Sequence, residues 1–138
     1  MRAPVTLLSI LVLAALSPAA ADARWDRIPP TFSGLESAVT CLPGPAGGDR
    51  ASSYHLSWTA ATDNVTPSRR IVYEIYQATS PGGENFSIRT YRSRSGATSF
   101  DTPQLPANQT FYFVVRARDL AGNQDSNKVE RQGQNLCV

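Results

Sequence analysis

The stretch FYFVVRARDLAGN, Phe111 to Asn123, decides the fold. Aromatic and β-branched residues carry Arg116 and Arg118 on alternating positions, then give way to Asp119, Gly122 and Asn123. Alternation with a period of two is the mark of a β-strand, and the residues after it are turn formers. A strand with this composition serves either as scaffold or as site. Its surroundings decide between them.

The same pattern recurs along the chain. Residues 37–42, 52–60, 71–78, 86–91, 97–102 and 110–118 read as strands, and 125–131 as a weaker last one. Turn chemistry separates them, as in PGPAGGD, TDNVTPS, SPGGE, RSG, PQLPAN and DLAGN. No helical period interrupts the series. Seven short strands at this spacing predict an all-β antiparallel sandwich, with a small closed barrel as the alternative.

The amino terminus has a different character. Arg2 is followed by the apolar run Val5 to Leu16, by Pro18 and by small residues up to Ala23, the layout of a secretory signal peptide over residues 1–23. Cleavage after Ala21 or after Ala23 both fit, and the run is short for a membrane span. An uncleaved anchor is the competing reading. The remaining 24–138 form one domain with its core over about 29–131 and a C-terminal tail. This places the mature chain outside the cytoplasm, secreted, periplasmic or on the cell surface.

Composition narrows the function. The net charge of +2 is small and the arginines are scattered, which argues against nucleic acid as a partner. Arginine outnumbers lysine twelve to one, Lys128 being the single lysine, which suggests a GC-rich bacterial genome. Cys41 and Cys137 in an exported chain predict one disulfide, with free thiols or an intermolecular bridge as the alternatives. The lone histidine, His55, stands in an alternating run and is expected to face solvent. No metal-ligand spacing and no nucleophile with a matched base are evident, so neither a cofactor nor catalysis is expected.

Read together, LSWTAATDN at 56–64 and LPANQTFYFVVRARDLAGN at 105–123 resemble the fibronectin type III domains of exported bacterial proteins. The resemblance extends over about residues 29–131. It implies a seven-stranded immunoglobulin-like sandwich with Trp58 in the core, packed against Phe113 and Tyr73 or Ile75, and with Leu105 in the loop before the penultimate strand. It also implies that Phe111, Phe113, Val115 and Ala117 point inward. Where the family places a corner tyrosine this chain has Phe111, with Tyr112 one position later, so the corner is held by packing alone or the register is shifted by one. The implied topology further brings Cys41 and Cys137 to the same end of the sandwich.

Two surfaces follow from that alignment. The outer face of the sheet would carry Val72, Glu74, Tyr76, Tyr112, Val114 and Arg116, with Tyr76 near Tyr112 and Glu74 within reach of Arg116. Aromatic and arginine side chains suit a binding surface. The same residues would equally serve as cross-strand pairs that stabilise the sheet. At one pole, Asp63, Asn64, Asp119, Asn123 and Asp125 offer oxygens for calcium, or else fold their own turns by side-chain to backbone bonds.

Three N-x-[ST] triplets begin at Asn64, Asn85 and Asn108, in or beside turns. They carry weight only in a eukaryotic secretory pathway. The expected function is a monomeric, non-catalytic extracellular module that contacts protein or carbohydrate. A structural envelope or matrix subunit, or an accessory to a secreted hydrolase, are the alternatives.

Overall fold

In a computed structural model that describes residues 23–40 and 51–136, the chain is all-β apart from two single-turn 3₁₀ segments, Ala23–Trp25 and Ser68–Arg70. The proposed signal segment, Cys41 and Cys137 lie outside the described residues. Ten short strands appear among the described residues where seven were expected. They are β1 (Ser37–Thr40), β2 (Ala51–Ser52), β3 (His55–Ser57), β4 (Val72–Ala78), β5 (Tyr91–Arg92), β6 (Ser99–Asp101), β7 (Leu105–Pro106), β8 (Tyr112–Arg118), β9 (Glu130–Gln132) and β10 (Gln134–Asn135).

Two four-stranded sheets, β10-β1-β3-β6 and β5-β4-β8-β9, enclose the core, and β2 pairs with β7 beside them. The pairings are antiparallel except for β1 with β10, which run parallel. Open sheets facing each other make a β-sandwich rather than a closed barrel. Between them lie Leu35, Leu56, Trp58, Ile71, Tyr73, Ile75, Phe111, Phe113, Val115 and Ala117, all buried.

The departures from the expected strands have local chemical causes. Residues 86–88 form a turn because the Asn85 side chain accepts a hydrogen bond from Ser87 N at 3.0 Å and its carbonyl accepts one from Ile88 N at 3.1 Å. Residues 125–129 leave the ladder because side chains replace backbone partners. Asp125 accepts from Ala117 N, and Asn127 Nδ2 donates to Val115 O at 3.0 Å, so β9 begins only at Glu130.

The last strand changes sheets. β9 pairs with β8, and two residues later β10 pairs with β1 in the opposite sheet. Gly133 makes the crossing: its N–H donates to Phe111 O at 2.8 Å, and a Cβ there would sit 2.3 Å from Cε1 of Tyr54. The Tyr54 ring in turn lies 6.1 Å from Phe111 and 5.4 Å from Phe113. Aromatic packing therefore occupies the corner at Phe111.

Candidate functional site

The outer face of β4 and β8 is the first candidate surface, and its register is Glu74 opposite Arg116, Tyr76 opposite Val114 and Ala78 opposite Tyr112. Tyr76 is thus diagonal to Tyr112 rather than directly across from it. The face is not open to solvent. Glu74, Tyr76, Val114 and Arg116 are buried, and Val72 and Tyr112 are half-buried.

What covers the face is the connection between β4 and β5. Phe86 folds down edge-on to Tyr76, with ring centroids 5.2 Å apart, and the Arg116 guanidinium lies 3.7 Å from the Phe86 ring centre. Arg116 Nε donates to Asn127 O at 2.9 Å. The cations beside Glu74 are Arg118, with Nε 3.1 Å from Oε1, and Arg89, 3.5 Å away. Gln124 Nε2 and Tyr76 O–H complete the set at 2.7 and 3.1 Å from Oε2. A buried carboxylate with this many donors is satisfied. Burial accordingly pushes the Tyr76 hydroxyl above its ordinary value of 10.0.

Gly82 N donates to Glu130 Oε2 at 2.6 Å, while Glu84 Oε1 is buried without a hydrogen-bond partner. Burial raises the Glu84 carboxyl above its ordinary 4.5, and the nearby Glu130 carboxylate adds to the effect. A carboxyl raised in the folded state weakens the fold above its folded value, and that cost disappears as pH falls through it. Glu84→Gln is therefore expected to raise the melting temperature at pH 7 by roughly 2 °C, with the gain fading toward pH 4. Circular-dichroism melts across that range check it; an unchanging gap would mean that Glu84 is solvated and ordinary.

The pole at the start of the sandwich is the second candidate. The β3–β4 and β8–β9 connections bring Asp63 and Asp119 together, and with them Asp26, which no motif in the sequence marks. Asp26 arrives through the amino-terminal segment, which is fastened by Thr31 and Thr62 exchanging backbone hydrogen bonds at 2.8 and 3.0 Å. The three remaining expected ligands do other work, Asn64 Nδ2 donating to Asp26 Oδ1 at 3.3 Å. Asn123 Nδ2 donates to Asp119 Oδ2 and to Asp26 O, at 2.7 and 3.1 Å, and Asp125 holds Ala117 N and the Asn127 amide. The Asp119–Asn123 turn closes through Asn123 N to Asp119 Oδ1 at 2.8 Å, with Gly122 at φ +96°.

Elsewhere, His55 is exposed on β3 with Nδ1 2.7 Å from Asp101 Oδ1. Asn64, Asn85 and Asn108 are exposed. No helix among the described residues is long and apolar enough to cross a membrane.

These features define a small, largely antiparallel β-sandwich whose broad strand face is covered and which brings three carboxylates together at one pole. The chain matches no family model. It is 37% identical to Exoglucanase A of Cellulomonas fimi over 78 residues, which make up 56% of this chain and 8% of that enzyme. It is 32% identical to Exoglucanase B of the same organism over 73 residues, 53% of this chain and 6% of that enzyme. The chain therefore corresponds to less than a tenth of either relative's length.

Proposed function

We propose that this chain is a non-catalytic accessory module of fibronectin type III type, exported and working beside carbohydrate-active enzymes. The observation that carries the reading is the pairing of a self-contained all-β core with matches confined to 8% and 6% of two long exoglucanases. A segment that small, with a core of its own, suits a module appended to an enzyme.

The module contacts carbohydrate through its acidic pole rather than through the β4–β8 face, which is sealed. Trp25 is 80% exposed there, next to Asp26, and Ile28 and Leu120 are exposed close by in sequence to Asp26 and Asp119. An open indole gives a sugar ring a flat apolar surface, and tryptophan is over-represented among residues that dominate binding. Co-sedimentation with insoluble cellulose tests this. The protein is expected in the pellet, and Trp25→Ala in the supernatant with an unchanged melting temperature. Release of reducing ends from cellulose would overturn the non-catalytic reading. A chain that stays in the supernatant but is retained by extracellular protein from its producer would exchange the carbohydrate partner for a protein. One that binds neither is a structural spacer.

A further inference from the structure

We propose that Asp26, Asp63 and Asp119 form a calcium site that clasps the amino-terminal segment onto the pole of the sandwich. One carboxylate oxygen from each residue lies within 4.8 Å of the others. Oxygens bound to calcium at roughly 2.3–2.6 Å fall within about 5 Å of one another, so the spacing suits a shared ion.

The second observation is independent of the clustering. Amide groups hold one oxygen of each outer carboxylate: Asp26 Oδ1 accepts from Ile28 N at 3.0 Å and from Asn64 Nδ2 at 3.3 Å. Asp63 Oδ2 accepts from Val65 N and Thr66 N at 3.0 and 2.7 Å. The other oxygen of each, Asp26 Oδ2 and Asp63 Oδ1, is buried with no hydrogen-bond partner. Native structures rarely leave buried carboxylate oxygens unsatisfied, and three converging negative charges repel unless a cation lies among them. Asp119, 95% buried by its 5% exposure, brings the third charge out of water.

The donor set identifies the ion by class. Carboxylate oxygens from three separate segments favour a hard cation, and their irregular arrangement suits calcium, which tolerates it, over magnesium, which requires near-ideal octahedral geometry. Water and carbonyl oxygens would complete the shell. Because Asp26 belongs to the segment before the first strand while Asp63 and Asp119 belong to two interstrand loops, the ion joins three parts of the chain that are far apart in sequence. The site does not depend on what the module contacts.

The charge-removing variants make the test decisive, since Asp63→Asn and Asp26→Asn each keep an oxygen for the amides that Asp63 and Asp26 now hold. With excess calcium the melting temperature of the protein should rise by roughly 5 °C over that in chelator. In either variant the calcium response should vanish, while the variant in chelator should melt no lower than the parent, because mutual repulsion is relieved. Trypsin cleavage after the exposed Arg27 should slow with calcium in the parent alone. Terbium gives a spectroscopic arm: excitation of Trp25, adjacent to Asp26, should sensitise its emission, and Trp25→Phe should abolish that signal yet retain the calcium shift. An identical melt with calcium and with chelator, together with no terbium emission, would overturn the site. So would a calcium shift that survives both asparagine variants.

Discussion

Trp58→Ala is expected to lower the stability of the fold by about 3–5 kcal/mol. The indole is 3% exposed and stacks at a tilt against Tyr73, with ring centroids 5.1 Å apart. Its Nε1 donates to Ala97 O at 3.0 Å, which ties the connection between β5 and β6 to the core. Alanine would leave a cavity between the sheets and strip that carbonyl of its donor, two losses of different kind. Trp58→Phe separates them, because it refills much of the volume without restoring the donor. It should cost less, about 1–2 kcal/mol. Against a total stability of about 5–15 kcal/mol for a domain, the alanine variant would be near unfolding at body temperature. Urea titration measures both. With Trp25 replaced, tryptophan emission at the wavelength of the free amino acid in water would show that Trp58 is not in the core.

The other large effect is expected from the disulfide that the sequence predicts between Cys41 and Cys137: it would close a loop of about 100 residues, and its removal should cost up to about 4.7 kcal/mol. The residues immediately before the two cysteines are already neighbours. Thr40 is the register partner of Asn135 in the parallel pairing of β1 and β10, and Leu136 N donates to Thr40 O at 3.0 Å. A bond between the residues that follow would fasten the tail beyond a two-residue strand. Cys41→Ser with Cys137→Ser should therefore melt well below the parent under oxidising conditions and at the same temperature as the parent in reductant. Mass spectrometry of the exported protein decides the chemistry. Two free thiols, or a dimer that reductant dissolves, would remove the intramolecular bond.

Much of this molecule was legible in one dimension because strand alternation is a local property. The period of two in Phe111–Arg118 and Val72–Ala78 identified β8 and β4, and the resemblance drawn from residues 56–64 and 105–123 put Phe111, Phe113, Val115, Ala117, Tyr73 and Ile75 on the core side, where they lie. Alternation says which residues share a face. It does not say what lies over that face. Val114, Tyr76, Glu74 and Arg116 occupy the expected outer side, yet the β4–β5 loop covers them, and nothing in the run SPGGENFSIR shows that Phe86 will settle on Arg116. A loop's resting place is fixed by contacts many residues away, whose energies no short window contains.

The same division runs through the pole and the last strand. Asp63 and Asp119 were visible as acidic turn residues, because turn chemistry is written in adjacent positions. Asp26 was not, since the Thr31–Thr62 pairing and the bonds from Asn64 and Asn123 to Asp26, all between residues far apart in sequence, carry the amino-terminal segment to those loops. The sequence likewise marked a weak final strand but not its change of sheet at Gly133, which depends on the Tyr54 ring leaving no space for a Cβ. By itself, the sequence determined the fold class and the inward face of each long strand. Only the tertiary structure decided which surface remained open and which charges came together, because closure of one loop and one terminal segment sets both.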